Sequence, residues 1–204
     1  MENNIFIFSD PHFGHKNIVR SVSSWDDKSG CRDFNSIEEM NETIVKNINS
    51  TVSENDFLFC LGDWSFGGQA NISKYRNMIN VKEISLIPGN HDDKLVSLIR
   101  TDPLVRSSFV LCRDITIFKC HGCIFVLSHM PVRDDIVDKL LSGRNIDNTP
   151  IILINGHLHG SKYPDNGFKR YFRLDASIET NNYLPYNILD IIKFFGKIII
   201  NTRV

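Results

Sequence analysis

Several things are scarce in this chain of 204 residues. No apolar run approaches the roughly 18 residues that a membrane-spanning helix needs. No basic segment precedes an apolar stretch at the N-terminus, so no secretory leader is expected. There is no excess of positive charge. The 23 basic residues stand against 24 acidic ones for a formal net charge of -1, which disfavours a dedicated nucleic-acid binder. The five cysteines are odd in number, and Cys60 lies inside an apolar run. That pattern argues against a secreted disulfide scaffold and for a reducing cytoplasm. Internal repeats, low-complexity tracts and Pro/Gly/Ser linkers are also missing, so residues 1–204 read as a single domain.

What is present is a recurring pattern. Five short apolar runs each end in small residues followed by a metal-liking side chain. Residues 5–8 lead into Ser9, Asp10, Pro11 and His12. Residues 57–61 lead into Gly62 and Asp63. Residues 84–87 lead into Pro88, Gly89, Asn90, His91 and Asp92. Residues 124–127 lead into Ser128 and His129. Residues 151–155 lead into Gly156, His157, Leu158 and His159. Buried strands read as such runs, and ligands of open α/β sheets bind outside the carboxyl ends of strands.

Between these runs, Ser36 with Glu39 predicts a helix start by the capping-box spacing. Ile37, Met40, Ile44 and Ile48 follow at helical period. Further helices are expected over 70–79, 93–100, 134–141 and 187–195. Short strands are expected at 108–112, 171–174 and 197–201. Cys120-His121-Gly122-Cys123 reads as a hairpin tip between strands 115–118 and 124–127. Trp25 and Phe34 are expected to anchor the loop-rich segment 13–35, and Trp64 to pack in the core. The mixture predicts an α/β fold: a four-layer α/β/β/α sandwich of two mixed sheets flanked by helices.

The chemistry follows from the residue types. Asp10 and His12, and again His157 and His159, stand two apart just past a strand end, where both can turn toward one cation. A carboxylate such as Asp63 has two oxygens and can bridge two cations. Asn90 offers a neutral amide oxygen and His129 a further imidazole. Mixed nitrogen and oxygen ligation suits Mn²⁺ first, with Ni²⁺, Co²⁺, Fe²⁺ or Zn²⁺ as alternatives, rather than Ca²⁺. Two divalent ions bring four positive charges against the two of Asp10 and Asp63. The remaining excess would attract an anionic phosphoester. Metals roughly 3.5–4 Å apart can share and acidify one water and clamp phosphoryl oxygens.

This series of motifs closely resembles the calcineurin-like metallophosphoesterase superfamily, and Ser9-Asp10-Pro11-His12-Phe13-Gly14-His15 is similar to its small uncapped bacterial and phage members. The resemblance implies one metal held by Asp10, His12 and His159, a second by Asn90, His129 and His157, and Asp63 between them. It implies His91 as general acid at the leaving-group oxygen, with Asp92 either orienting His91 or capping a helix at the surface. The Asp and Arg that protein phosphatases carry after Gly62-Asp63 are replaced here by Trp64-Ser65-Phe66-Gly67-Gly68.

His15, Asn90 and Arg133 are candidates to bind substrate, with an ion pair to Asp134 or Asp135 as the competing role for Arg133. Arg20 and Arg32 are loop cations read as lying outside the cleft. The expected activity is dinuclear-metal-dependent phosphoester hydrolysis, as a phosphodiesterase or broad phosphoesterase on small substrates, nucleotides or nucleic-acid ends among them. No membrane and no obligatory protein partner is expected. A nuclease is the alternative, and a non-catalytic scaffold of the same fold ranks lower because all ligands are present.

Overall fold

The structure is a computed structural model that describes residues 3–144, 146 and 149–201, with side chains as far as Gly196. Among the described residues nine strands form two mixed sheets. The first has the order β4(Phe109–Leu111), β3(Ile84–Leu86), β2(Phe57–Cys60), β1(Ile5–Phe8), β9(Tyr186–Asn187). Its first four strands run parallel and β9 is antiparallel. The second has the order β5(Ile115–Cys120), β6(Cys123–Ser128), β7(Ile151–Asn155), β8(Phe172–Asp175). Here β5 and β6 form the expected hairpin, while β6, β7 and β8 run parallel.

The alternation of side chains along each strand sorts them into three apolar layers. Phe6, Phe8, Leu58 and Leu86 face α1(Ile37–Thr51), α2(Gly68–Asn77) and α3(Asp93–Thr101). Ile7, Phe125, Leu127, Ile152 and Ile154 fill the space between the sheets. Ile124, Val126 and Leu153 pack on Val137 and Leu141 of α5(Asp134–Leu141). The order is helices, sheet, sheet, helix, which is the predicted four-layer sandwich. A one-turn helix, α4(Pro103–Arg106), joins α3 to β4.

Local chemistry explains the helix starts. Ser36 Oγ accepts the amide of Glu39 at 3.0 Å. The Glu39 carboxylate returns to the amide of Asn35 at 2.7 Å, one residue before the position a capping box uses. Among the described residues no helix is long and apolar enough to cross a membrane.

Two expectations are corrected. Residues 197–201 continue α6(Ile188–Asn201) instead of forming a strand. Ile188, Ile191 and Phe195, at helical spacing, seat that helix in the inter-sheet core, and this packing overrides the β-branched composition that follows. Trp25 is 44% exposed and so does not anchor its loop in the core. Phe34 does pack against the core, edge-on to Tyr183 with ring centroids 4.9 Å apart. Trp64 is fully buried between Phe13 and Phe109, as expected.

Candidate metal centre

β1, β2, β3, β6 and β7 all end at one edge of the sandwich, and the chain turns sharply there. Asp10, His12, Asp63, His157 and His159 have φ of 55°, 49°, 55°, 69° and 49°. The left-handed region costs an L-residue with a Cβ about 1–2 kcal/mol. Five such residues at one edge mark strain concentrated at a site. The turns can meet because glycines leave room. A Cβ on Gly89 would stand 2.2 Å from Asp63 Oδ1, and one on Gly156 would stand 2.4 Å from Asp10 Oδ2.

The ligand atoms converge. Nε2 of His12 and Nε2 of His159 are 3.2 Å apart. Asp10 Oδ1 lies 3.6 Å from the former and 3.4 Å from the latter. Asp63 Oδ2 stands 3.7 Å from His12 Nε2 and 3.6 Å from His129 Nε2, and so lies between two clusters. The ligands of one ion bound at about 2.1 Å sit roughly 3.0–3.4 Å from each other, so the spacing fits metal coordination.

Two further observations fit a cation. Asp10 is fully buried, yet its Oδ1 has no hydrogen-bond partner. His129 Nδ1 lies 2.7 Å from the carbonyl of Leu61, which can only accept, so Nδ1 carries the proton. The lone pair of His129 Nε2 then faces Asn90 Oδ1 at 2.9 Å. A cation held between these two atoms would satisfy both.

Two groups of residues bring their ligand atoms together: Asp10, His12 and His159, and Asp10, Asp63 and His129. Asn90 joins the second through His129. His157 lines the same cleft with its ring centroid 5.2 Å from that of His129, but it belongs to neither tight group. Its amide instead donates to Asp10 Oδ2 at 2.9 Å.

The electrostatics are coupled. Burial opposes ionisation of Asp10, but the nearby imidazoles of His12, His159 and His129 outweigh it and hold the carboxyl below its usual range. Burial lowers the pKa of His12, with Asp10 opposing. His159 shifts the other way: burial pulls its pKa down, yet the hydrogen bond and charge of Glu179 raise it overall.

His91 is exposed at the rim, with its ring 6.0 Å from that of His12 and its amide on Asp63 Oδ1 at 3.0 Å. Asp92 is buried, not a surface cap. Its carboxylate accepts the amides of Asp63, Trp64 and Gly89 at 2.7, 2.9 and 2.8 Å. It thus ties the second ligand turn to the third and makes no hydrogen bond to the His91 ring. His15 stacks on Phe66 with centroids 4.1 Å apart, and its pKa is lowered to about 4 by burial and by the neighbouring His12 and His91. Arg133 is mostly exposed and pairs with Asp135 at 2.9 Å.

Of the two loop cations, Arg20 lies where the sequence reading puts it and Arg32 does not. Arg20 does pair with Asp33 at the surface. Arg32, however, is 3% exposed and donates to the backbone carbonyls of Asp10 at 2.6 Å and Pro11 at 2.9 Å. It also pairs with Glu179 at 3.0 Å, and Glu179 contacts His159. Glu179 was missed because it belongs to no motif and stands 147 residues from Arg32.

A mixed two-sheet sandwich with Asp, Asn and His gathered at one strand edge defines a metal-binding hydrolase of the phosphoesterase class. The calcineurin-like phosphoesterase family model matches residues 4–184, and the chain belongs to that family. The uncharacterized protein MJ1445 of Methanocaldococcus jannaschii is 29% identical over 198 residues, which span 95% of this chain and 92% of that one. The crystal structure of AQ665 from Aquifex aeolicus, a protein of unknown function, superposes with a TM-score of 0.65 at 23% identity, covering 95% of this chain and all of that one. At that identity the likeness speaks to the fold alone.

Proposed function

We propose that the chain hydrolyses small phosphoesters, as a phosphodiesterase or broad-specificity phosphoesterase, at a pair of divalent cations. The observation that carries this reading is the convergence of buried ligand atoms around an orphaned oxygen of Asp10. Asp10, His12 and His159 would hold one cation. Asn90 and His129, with His157 turned inward, would hold the other, and Asp63 would serve both. Mn²⁺ is the first choice among metals that accept this donor set. When bound, such a pair lowers the pKa of water and neutralises charge developing on phosphoryl oxygens.

The chain's own residues supply the rest. His91 sits at the rim, where its ring can reach a leaving oxygen and give it a proton. Its backbone is fixed to Asp63, so ligand and proton donor move together. Asp92 holds the turns carrying Asp63 and Asn90 in register. The five free cysteines fit action in a reducing cytoplasm.

The test is turnover of bis-p-nitrophenyl phosphate, p-nitrophenyl phosphate and 2′,3′-cyclic nucleotides with Mn²⁺, Ni²⁺ or Zn²⁺, with and without chelator. Metal-dependent release of product that chelation abolishes is the expected result. No turnover by a folded, metal-loaded chain would reject the proposal.

A further inference from the structure

The reacting centre opens into two clefts. One, of about 510 Å³, contains His12, His91 and His157 and is walled by His15, Trp25 and Phe66. The other, of about 620 Å³, runs from His129 past Met130, Pro131 and Ile136. Asn90 borders both, so a phosphate at the cations would have open space on each side. A monoester has one substituent and would leave one of these spaces unfilled. A diester has two.

The walls state what the substituents are. Among the described residues the first cleft is lined by no lysine or arginine. In the second the one cationic side chain among the described residues is Arg133, already paired with Asp135, and Asp93 and Asp114 also stand in its wall. Neither cleft offers cations for further phosphates, as a bound polynucleotide backbone would need. The first cleft offers aromatic surface instead. Phe66 stacks on His15, and Trp25 stands edge-on to His15 with centroids 5.7 Å apart and a 72° interplanar angle. The cluster holds Trp25 upright while 44% of the residue stays open. Partly exposed aromatic surface beside an anion site favours a planar ring on the bound ester.

Building on the hydrolase reading above, we infer that the substrate is a phosphodiester with a single phosphate, one arm of which carries a planar aromatic group, such as a nucleobase, seated against Trp25. In its hydrolysis the oxygen of water bonds to phosphorus and the bond to one ester oxygen breaks. That oxygen leaves as an alcohol with one of the two water protons, and the other proton stays with the monoester product.

The experiment compares three esters that release the same p-nitrophenol from the Mn²⁺-loaded full chain: thymidine 5′-(p-nitrophenyl phosphate), ethyl p-nitrophenyl phosphate and p-nitrophenyl phosphate. We expect the thymidine diester to exceed the ethyl diester in kcat/KM by about fivefold or more, chiefly through KM, as base stacking on one aromatic side chain allows. We expect both diesters to exceed the monoester. Trp25→Ala brings the ratio of the two diesters toward one, and Trp25→Phe keeps most of it. An added 5′-phosphate on a dinucleotide should give no gain. Preference for the monoester, a ratio near one in the unaltered chain, or a ratio unmoved by Trp25→Ala would overturn the inference and leave phosphoester hydrolysis standing. Turnover of none of the three would overturn both.

Discussion

Glu179 Oε1 stands 2.6 Å from Nδ1 of His159, and the guanidinium of Arg32 closes on the same carboxylate while gripping the backbone of Asp10. The carboxylate accepts the Nδ1 proton and turns Nε2 toward Asp10 and His12. Burial would raise the pKa of Glu179, but the charge of Arg32 and the bond with His159 hold it below its usual range, so it stays an acceptor. Carboxylates behind ligating histidines are worth about 10–100-fold in metal affinity. Glu179→Gln should therefore weaken one of two binding events in a calorimetric Mn²⁺ titration by about that factor, with the other little changed. Two unaltered binding events would show that Glu179 does not set this ligand.

His91 reaches the cleft without belonging to either ligand group. His91→Ala should leave two metals bound per chain and reduce kcat on an ester with a poor leaving group by about 100-fold or more. The loss should shrink on p-nitrophenyl esters, whose leaving oxygen needs no proton. An equal loss on both kinds of ester would point to a role in binding instead.

The candidate ligand turns were legible in the sequence because each follows its own strand directly. An apolar run and its terminal Asp or His are local in the chain, and the parallel order of β1, β2 and β3 brings the ends together. The four-layer architecture was legible for the same reason, through alternating runs and capped helices. What supports the ligands was not. Arg32 in a loop and Glu179 in a 3₁₀ turn become neighbours only through the fold, and nothing in their local sequence marks either. Residues 197–201 misled because the β-branched composition was read apart from the stripe of Ile188, Ile191 and Phe195 before it.

Asp92 is the buried knot between two ligand turns, and its carboxylate is surrounded by three amide donors. Asp92→Ala leaves those amides without their acceptor, and a buried unsatisfied group costs about 1–3 kcal/mol. Urea unfolding of the metal-free chain should show a loss of about 3 kcal/mol or more. Metal affinity should fall as well, since Asp63 and Gly89 lose their tether. If stability were unchanged while turnover fell, Asp92 would belong to the chemistry and not to the scaffold.

Away from the site, Asp134 and Arg173 form an ion pair at 2.6 Å, with side chains 7% and 5% exposed. The other oxygen of Asp134 accepts the amides of Lys169 and Arg170 at 3.0 Å each, which ties α5 to the segment before β8. Burial alone would raise this carboxyl, but the hydrogen bonds from Arg173 and the Arg170 amide outweigh it and lower its pKa below 3.8. A lowered folded-state value means that the folded chain binds this proton more weakly than the unfolded chain. The stabilisation is then complete above the unfolded value and fades as pH falls through it toward the folded one. Removing one partner of a buried pair costs about 3–5 kcal/mol. Asp134→Ala should therefore be destabilised by about that amount at pH 7, and the gap from the unaltered chain should narrow as pH drops below 3.8. A gap that stays constant from pH 7 to pH 3 would assign the loss to packing and not to the charge on Asp134.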